Sequence, residues 1–182
     1  GCGIGHILDH LRPSYGVGID LSPVMIQEAK KRYPHLIFHV MDAEEVDRLN
    51  TTFEYVVSAN SITEATDIRL WLKNLYKVMS PETRLIIVSY NYLWKPILEL
   101  GALWGMRPKS PTENWLSPQD FHGLLKLCDF EVIREGYRTI LPRQLPILSH
   151  FLNGFLVRMP FFRRLGVTYY IVARPLIPFK NS

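Results

Sequence analysis

Cysteine is nearly absent from this chain, with Cys2 and Cys128 the two thiols among 182 residues. Two such cysteines build no disulfide framework, and no Cys/His cluster has zinc-site spacing, so reduced thiols in a cytoplasmic setting are expected. No apolar run reaches the roughly 18 residues that mark a membrane-spanning helix, and no stretch has the form of a secretory signal. Repeats, low-complexity tracts and linker-like segments are missing too, and a single domain over residues 1–182 is expected. Acidic residues are scarce in one region only. From Arg134 onward eight Lys/Arg stand against the single acid Glu135, while the preceding residues hold 13 Lys/Arg and 16 acids. A basic carboxyl-terminal part fits a solvated face, an anionic partner or a membrane surface. Without a recognition motif or a basic–aromatic stripe, no nucleic-acid partner is expected.

What the chain does have begins at its first residue. Gly1-Cys2-Gly3-Ile4-Gly5 puts glycine at alternate positions, ahead of a predicted short helix His6–Leu11. Glycine serves where backbone must turn sharply or lie against a ligand, and a helix start presents N–H groups without intrahelical partners. Strands are predicted at Tyr15–Asp20, Leu36–Met41, Phe53–Ser58 and Arg84–Tyr90, each a short apolar or β-branched run. Between them lie helix signals. Ser22-Pro23 is an N-cap followed by a first-turn proline, Pro34 is a stop, and Leu72, Leu75, Tyr76 and Met79 carry helical spacing within Leu70–Met79. Alternating strand and helix predicts a largely parallel sheet covered by helices. The pattern then changes. Residues 92–115 read as a partly helical insertion holding Trp94, Trp104 and Trp115, and Ser117-Pro118 opens a helix to about Cys128. Phe130–Ile140 and Val167–Ala173 are the last predicted strands. They flank an apolar, proline-punctuated insertion over 141–165 that carries Arg143, Arg158, Arg163 and Arg164.

The chemistry is read from carboxylates at strand ends. Asp20 ends the strand after the glycine turn, where a carboxylate accepts hydrogen bonds from two vicinal ribose hydroxyls. Asp42 ends the next strand, placed to accept from an exocyclic adenine amine. Ser58-Ala59-Asn60-Ser61 then leaves the following strand at the crevice mouth, where open α/β sheets bind ligands. Asp42 and Asn60 also suit plain turn roles. A nicotinamide-binding fold competes, since Asp20 fits both, but its fingerprint puts the third glycine where this chain has His6.

Taken together these stretches resemble the class I S-adenosylmethionine-dependent methyltransferases, in particular the small-molecule group. GCGIG resembles the family's glycine motif, GVGIDLSPVMIQEAK its ribose-binding strand and helix, and HVMDAEEV its adenine-binding motif. FEYVVSANSI resembles its fourth strand, and LSPQDFHGLLKLCDFEVI a later helix and strand. The resemblance implies a Rossmann-like α/β methyltransferase fold, mostly parallel with an antiparallel last strand, and S-adenosyl-L-methionine as cofactor. Carried over by position, Gly1, Cys2, Gly3 and Gly5 would line its methionine and ribose portion. Asp20 would hold the ribose beside Leu21 and Met25, Asp42 and Ala43 would meet adenine, and Asn60 would lie near the methionine portion or the substrate.

A sulfonium is an activated methyl donor, so such an enzyme gains chiefly by alignment and exclusion of water, and a base is needed only where the acceptor must lose a proton. Glu64, Tyr90, Asn91 and Tyr92 are the substrate-side candidates. His122, flanked by Phe121 and Leu124, reads as a surface or packing residue, and no catalytic base or metal site is assigned. The aromatic insertion suits a lid or an auxiliary core. Leu145–Met159, apolar with arginines at its end, suits sheet-edge packing, a dimer contact or a peripheral membrane contact. The expected activity is methyl transfer to oxygen, nitrogen or carbon of a small or lipid-like molecule, with a noncatalytic nucleoside- or protein-binding domain as the alternative.

A glycine turn of this kind normally follows a strand, and none stands ahead of Gly1, so the sequence reads as amino-terminally truncated. The first strand would be central and paired on both sides, and its absence would leave two strands without a shared neighbour. Residues 1–182 expressed alone are therefore expected to fold poorly and methylate weakly or not at all. A cooperative thermal melt together with normal cofactor affinity would refute this.

Overall fold

The computed structural model describes residues 1–96, 99–100, 114–138 and 166–176. Most of the insertion expected at 92–115, including Trp104, lies outside these residues. So do the whole insertion at 141–165, its four arginines and the segment Leu145–Met159.

Among the described residues, strands and helices follow one another in an α/β order. α1 (His6–His10) leads into β1 (Val17–Asp20), α2 (Pro23–Arg32) into β2 (Ile37–Val40), and β3 (Phe53–Ala59) through α3 (Ile68–Lys77) into β4 (Met79–Tyr90). α4 (Pro118–Leu127), β5 (Phe130–Arg138) and β6 (Thr168–Pro175) complete the described chain. β1 pairs in parallel with β2, and β3 in parallel with β4. β6 inserts antiparallel between β4 and β5, giving the order β3-β4-β6-β5. The expected mostly parallel sheet with an antiparallel last strand is thus present. Its hydrogen bonding falls into a two-stranded and a four-stranded part, and β1 and β3 are each paired on one side only among the described residues.

Local chemistry explains the helices. Ser22 accepts from Met25 N at 3.3 Å to cap α2, Pro23 fills the first turn, and Lys30, Lys31 and Arg32 close the last turn, where cations complement the helix dipole. Asp67 caps α3 by accepting from Arg69 N and Leu70 N, which starts that helix two residues before the apolar spacing alone predicted. Ser117 and Asp120 form a reciprocal capping box on α4. Their mutual hydrogen bonds hold the Asp120 carboxyl below the usual carboxylate range. Each such cap stabilises its helix by about 1 kcal/mol.

Two cores result. The larger packs Trp71, Leu72 and Leu75 of α3 and Phe121 and Leu125 of α4 onto Leu85, Ile87, Ile171 and Ala173 of the four-stranded sheet. Each large apolar side chain buried there contributes roughly 1.5–3 kcal/mol. The smaller core joins Ile26 and Ala29 of α2 to Leu36 and Phe38 at β2, with Cys2, Leu8 and Tyr33 packed against it. No helix among the described residues is long and apolar enough to cross a membrane.

Phe38 is the floor on which the glycine turn rests. A Cβ built on Gly5 would lie 2.8 Å from Phe38 Cζ, and one on Gly18 would lie 2.7 Å from Phe38 Cδ1 and 2.9 Å from Cys2 Sγ. The substitution Gly18→Ala is expected to destabilise the protein by about 1–3 kcal/mol through overpacking. Thermal melting of the variant checks this, and an unchanged Tm would show that Phe38 has room to retreat.

Candidate active site

The glycine turn is pinned to the carboxyl end of β1. Cys2 N donates to Ile19 O at 2.8 Å. Gly5 N closes the turn on Cys2 O at 3.0 Å. Gly3 (φ 53°) and Gly5 (φ 84°) are left-handed, a conformation costly for any residue with a Cβ. The glycines face different ways. A Cβ on Gly1 or Gly5 would collide with protein, whereas one on Gly3 would meet no heavy atom within 4 Å. Gly3 therefore presents bare backbone to open space, as a surface that receives a ligand requires. α1, with five residues and no side-chain cap, contributes little helix dipole to this cradle.

Asp20 organises the turn. Its Oδ2 accepts from Gly3 N at 2.8 Å and its Oδ1 from Ser22 N at 2.9 Å. Each carboxylate oxygen keeps a second lone pair, so both still have capacity for ribose hydroxyls. Asp42 stands at the neighbouring strand end, brought there by Met41 N donating to Asp20 O at 3.0 Å. One of its oxygens, Oδ1, caps the 3₁₀ turn Ala43–Leu49 by accepting from Glu44 N at 2.9 Å. Ala43 opens that turn and packs partly against the larger core. Leu21, 67% exposed, and Met25, also exposed, form an apolar rim beside Asp20.

The second half of the site comes from β3 and β4. Asn60 leaves β3 in a left-handed conformation (φ 61°), with its N–H donating to Val88 O at 2.7 Å. Ser61 follows and packs against Gly1, which brings the two halves together. Glu64 ends the short 3₁₀ turn Ile62–Glu64 and is exposed. At the end of β4, Tyr90, Tyr92 and Leu93 are exposed side chains. Asn91, expected on the substrate side, is buried. At 2% exposed, it donates from Nδ2 to Gly166 O at 2.8 Å and accepts at Oδ1 from Leu93 N at 3.2 Å, so it joins β4 to the start of β6.

Burial, as the largest influence, raises the Cys2 thiol above its ordinary value, which keeps it protonated and poorly nucleophilic. His122 Nε2 lies 2.9 Å from Glu135 Oε2 on the α4–β5 surface, and the Tyr169 hydroxyl also donates to Glu135. Burial and that carboxylate push the Tyr169 phenol up. The described residues contain no cluster of three or more potential metal ligands. A groove of 340 Å³ lined by Thr52, Phe53, Glu54, Tyr55, Ser80 and Glu82 lies at the amino end of β3, the opposite end of the strand from Asn60. Phe38 escaped the sequence reading, which placed Ser61 at the crevice mouth without a role of its own and gave Gly18 none in the site. Gly18 did carry a signal, as one of two glycines inside a strand.

A family model described as a methyltransferase domain matches residues 1–135. Norajmaline N-methyltransferase of Rauvolfia serpentina is 26% identical over 138 residues, covering 71% of this chain and 42% of that protein. A probable chloroplastic tocopherol O-methyltransferase of Oryza sativa subsp. japonica is 30% identical over 138 residues, covering 71% of this chain and 34% of its own length. The chain thus spans less than half of either relative. Among solved structures, magnesium protoporphyrin IX methyltransferase from Synechocystis PCC 6803 with bound SAH superposes with a TM-score of 0.63 at 16% identity, covering 96% of this chain and 71% of that one. That likeness extends the fold over the described strands, and the family match sets aside the nicotinamide alternative that Asp20 alone left open. A match of this length, across the stretch that holds the glycine turn, Asp20, Asp42 and Asn60, makes the chain a member of the methyltransferase-domain family.

Proposed function

We propose that the chain binds S-adenosyl-L-methionine over the glycine turn and directs its methyl group to a small or lipid-like acceptor. The observation that carries this reading is the Asp20 carboxylate. It is held by Gly3 N and Ser22 N, beside a glycine whose missing side chain opens onto free space. When bound, the cofactor supplies a methyl group already activated on a sulfonium. Asp20 accepts from the two ribose hydroxyls, and Asp42, one strand over, accepts from the adenine amine. Leu21 and Met25 cover apolar surface beside Asp20, and Ala43 lies against adenine. Gly1, Cys2, Gly3, Gly5 and Asn60 line the methionine portion.

The acceptor side is formed by Tyr90, Tyr92 and Glu64, with Asn91 holding the strand end beneath the two tyrosines. Exposed aromatic side chains at this rim suit an apolar or ring-containing molecule. The names of the two relatives point the same way, since norajmaline and tocopherol are both small molecules. These side chains orient the acceptor and exclude water, and an acceptor that must lose a proton receives help from an exposed carboxylate such as Glu64.

Titration calorimetry on the full-length protein with S-adenosylhomocysteine tests the reading. Binding is expected in the micromolar range, and no binding at high micromolar concentration would defeat it. In Asp20→Asn one of the two backbone N–H donors would face an amide N–H instead of an acceptor, an uncompensated group worth about 1–3 kcal/mol, so affinity is expected to fall at least about tenfold. Undiminished affinity in that variant would remove Asp20 from the site. Binding without methyl transfer to any apolar acceptor pool would favour the noncatalytic alternative.

A further inference from the structure

We infer that Ser61 is a positioning residue for the methionine end of the cofactor site, acting through Gly1. It makes cofactor affinity depend on the loop that leads to the acceptor side. The inference rests on the cofactor placement proposed above.

Ser61 occupies the N-cap position of the turn Ile62–Glu64 yet makes no side-chain cap bond there. A serine at that position ordinarily turns its oxygen toward the following N–H groups. Here Ser61 Oγ lies 2.9 Å from Ser58 Oγ, and Ser58 is a buried polar residue, 3% exposed on β3. The hydroxyl pair satisfies Ser58 and pulls Ser61 inward toward the strand. That inward position brings Ser61 against the glycine turn: a Cβ built on Gly1 would lie 2.5 Å from Ser61 Cβ and 3.3 Å from Ser61 Oγ.

Neither partner has freedom to retreat. Gly1 is held through Cys2, whose N–H donates to Ile19 O at 2.8 Å. Ser61 follows the left-handed Asn60, whose N–H is fixed to Val88 O, and precedes Ile62, which is fully buried in the larger core. Glu64 N donates to Ser61 O at 3.1 Å, so the same residue also supports the exposed carboxylate on the acceptor side. A shift of this loop is passed to Gly1, and from there to the Cys2–Gly3 backbone that Asp20 holds. Close-packed contacts of this kind transmit displacement instead of absorbing it.

A compensation cycle in the full-length protein tests this, with S-adenosylhomocysteine affinity read by calorimetry and folding by thermal melting. Gly1→Ala is expected to weaken binding by about tenfold or more, and Gly1→Ala combined with Ser61→Gly to recover most of that loss. A merely structural Ser61 predicts the reverse, since the second substitution would then add its own damage. Ser61→Ala, which keeps the Cβ but frees Ser58, is expected to weaken binding a few-fold with the melt still cooperative. Equal affinity of Ser61→Ala and wild type, or a double variant no better than Gly1→Ala, overturns the inference. If Asp20→Asn loses affinity while these results appear, the cofactor placement stands and the coupling alone fails. If Asp20→Asn also binds as wild type, both fail.

Discussion

The Asp20 carboxylate is the interaction on which the ligand-facing part of the molecule depends. It takes one N–H from the glycine turn and one from the start of the next connection, so a single side chain fixes Gly3 relative to Ser22. A charged acceptor makes these bonds stronger than neutral ones, and loss of the acceptor would strand two backbone donors near the surface of the crevice. The neighbouring strand end is placed by the same residue, through Met41 N on Asp20 O. The proposed positions for ribose and adenine recognition would thus be set by one residue's main chain and side chain. A site of this construction is preorganised, with its polar groups oriented before a ligand arrives.

The proposed acceptor side is held by different means. β4 is an interior strand of its sheet, paired with β3 and β6, and its alternate residues Leu85 and Ile87 are buried in the larger core. Where β4 ends, apolar packing gives way to a polar joint. Asn91 N donates to Val167 O at 2.7 Å, and its side chain reaches Gly166 O. Buried and hydrogen-bonded at both ends of its amide, Asn91 lets the chain leave the sheet without orphaned backbone groups. Tyr90 and Tyr92 on either side are thereby turned outward.

Much of this was legible in the sequence because it rests on local rules. Ser22-Pro23 and Ser117-Pro118 each start a helix where capping chemistry requires one. The apolar runs at β1 to β4 became strands, and Asp20 and Asp42 stand at adjacent strand ends as their positions after those runs implied. What escaped rests partly on local caps hidden by other patterns and partly on contacts between distant segments. Asp67 as the cap of α3 was hidden behind apolar spacing that begins later. Nothing within Leu36–Met41 marks Phe38 as the residue beneath Gly5 and Gly18. The joint made by Asn91 was missed for the same reason, since its partner Gly166 lies 75 residues away. The turn Ala43–Leu49 was missed because 3₁₀ segments follow from caps and packing more than from periodicity.

The three glycines of the opening turn illustrate how one residue type serves opposite ends. Gly1 and Gly5 are needed because protein crowds them: Ser61 on one side, Phe38 and Tyr33 on the other. Gly3 is needed for the contrary reason, because nothing in the protein stands over it and its backbone turns through a left-handed conformation. Substitution at the crowded positions would displace the loop itself, while substitution at Gly3 would strain the turn and place a side chain where the ligand is proposed to sit. The crowded pair therefore sets where the turn lies between β1 and β3, and the open one sets what it offers. Ser61 belongs with the first group, although it lies sixty residues further along. The geometry of the turn is written in two distant parts of the chain, and a motif search that stops at Gly5 reads half of it.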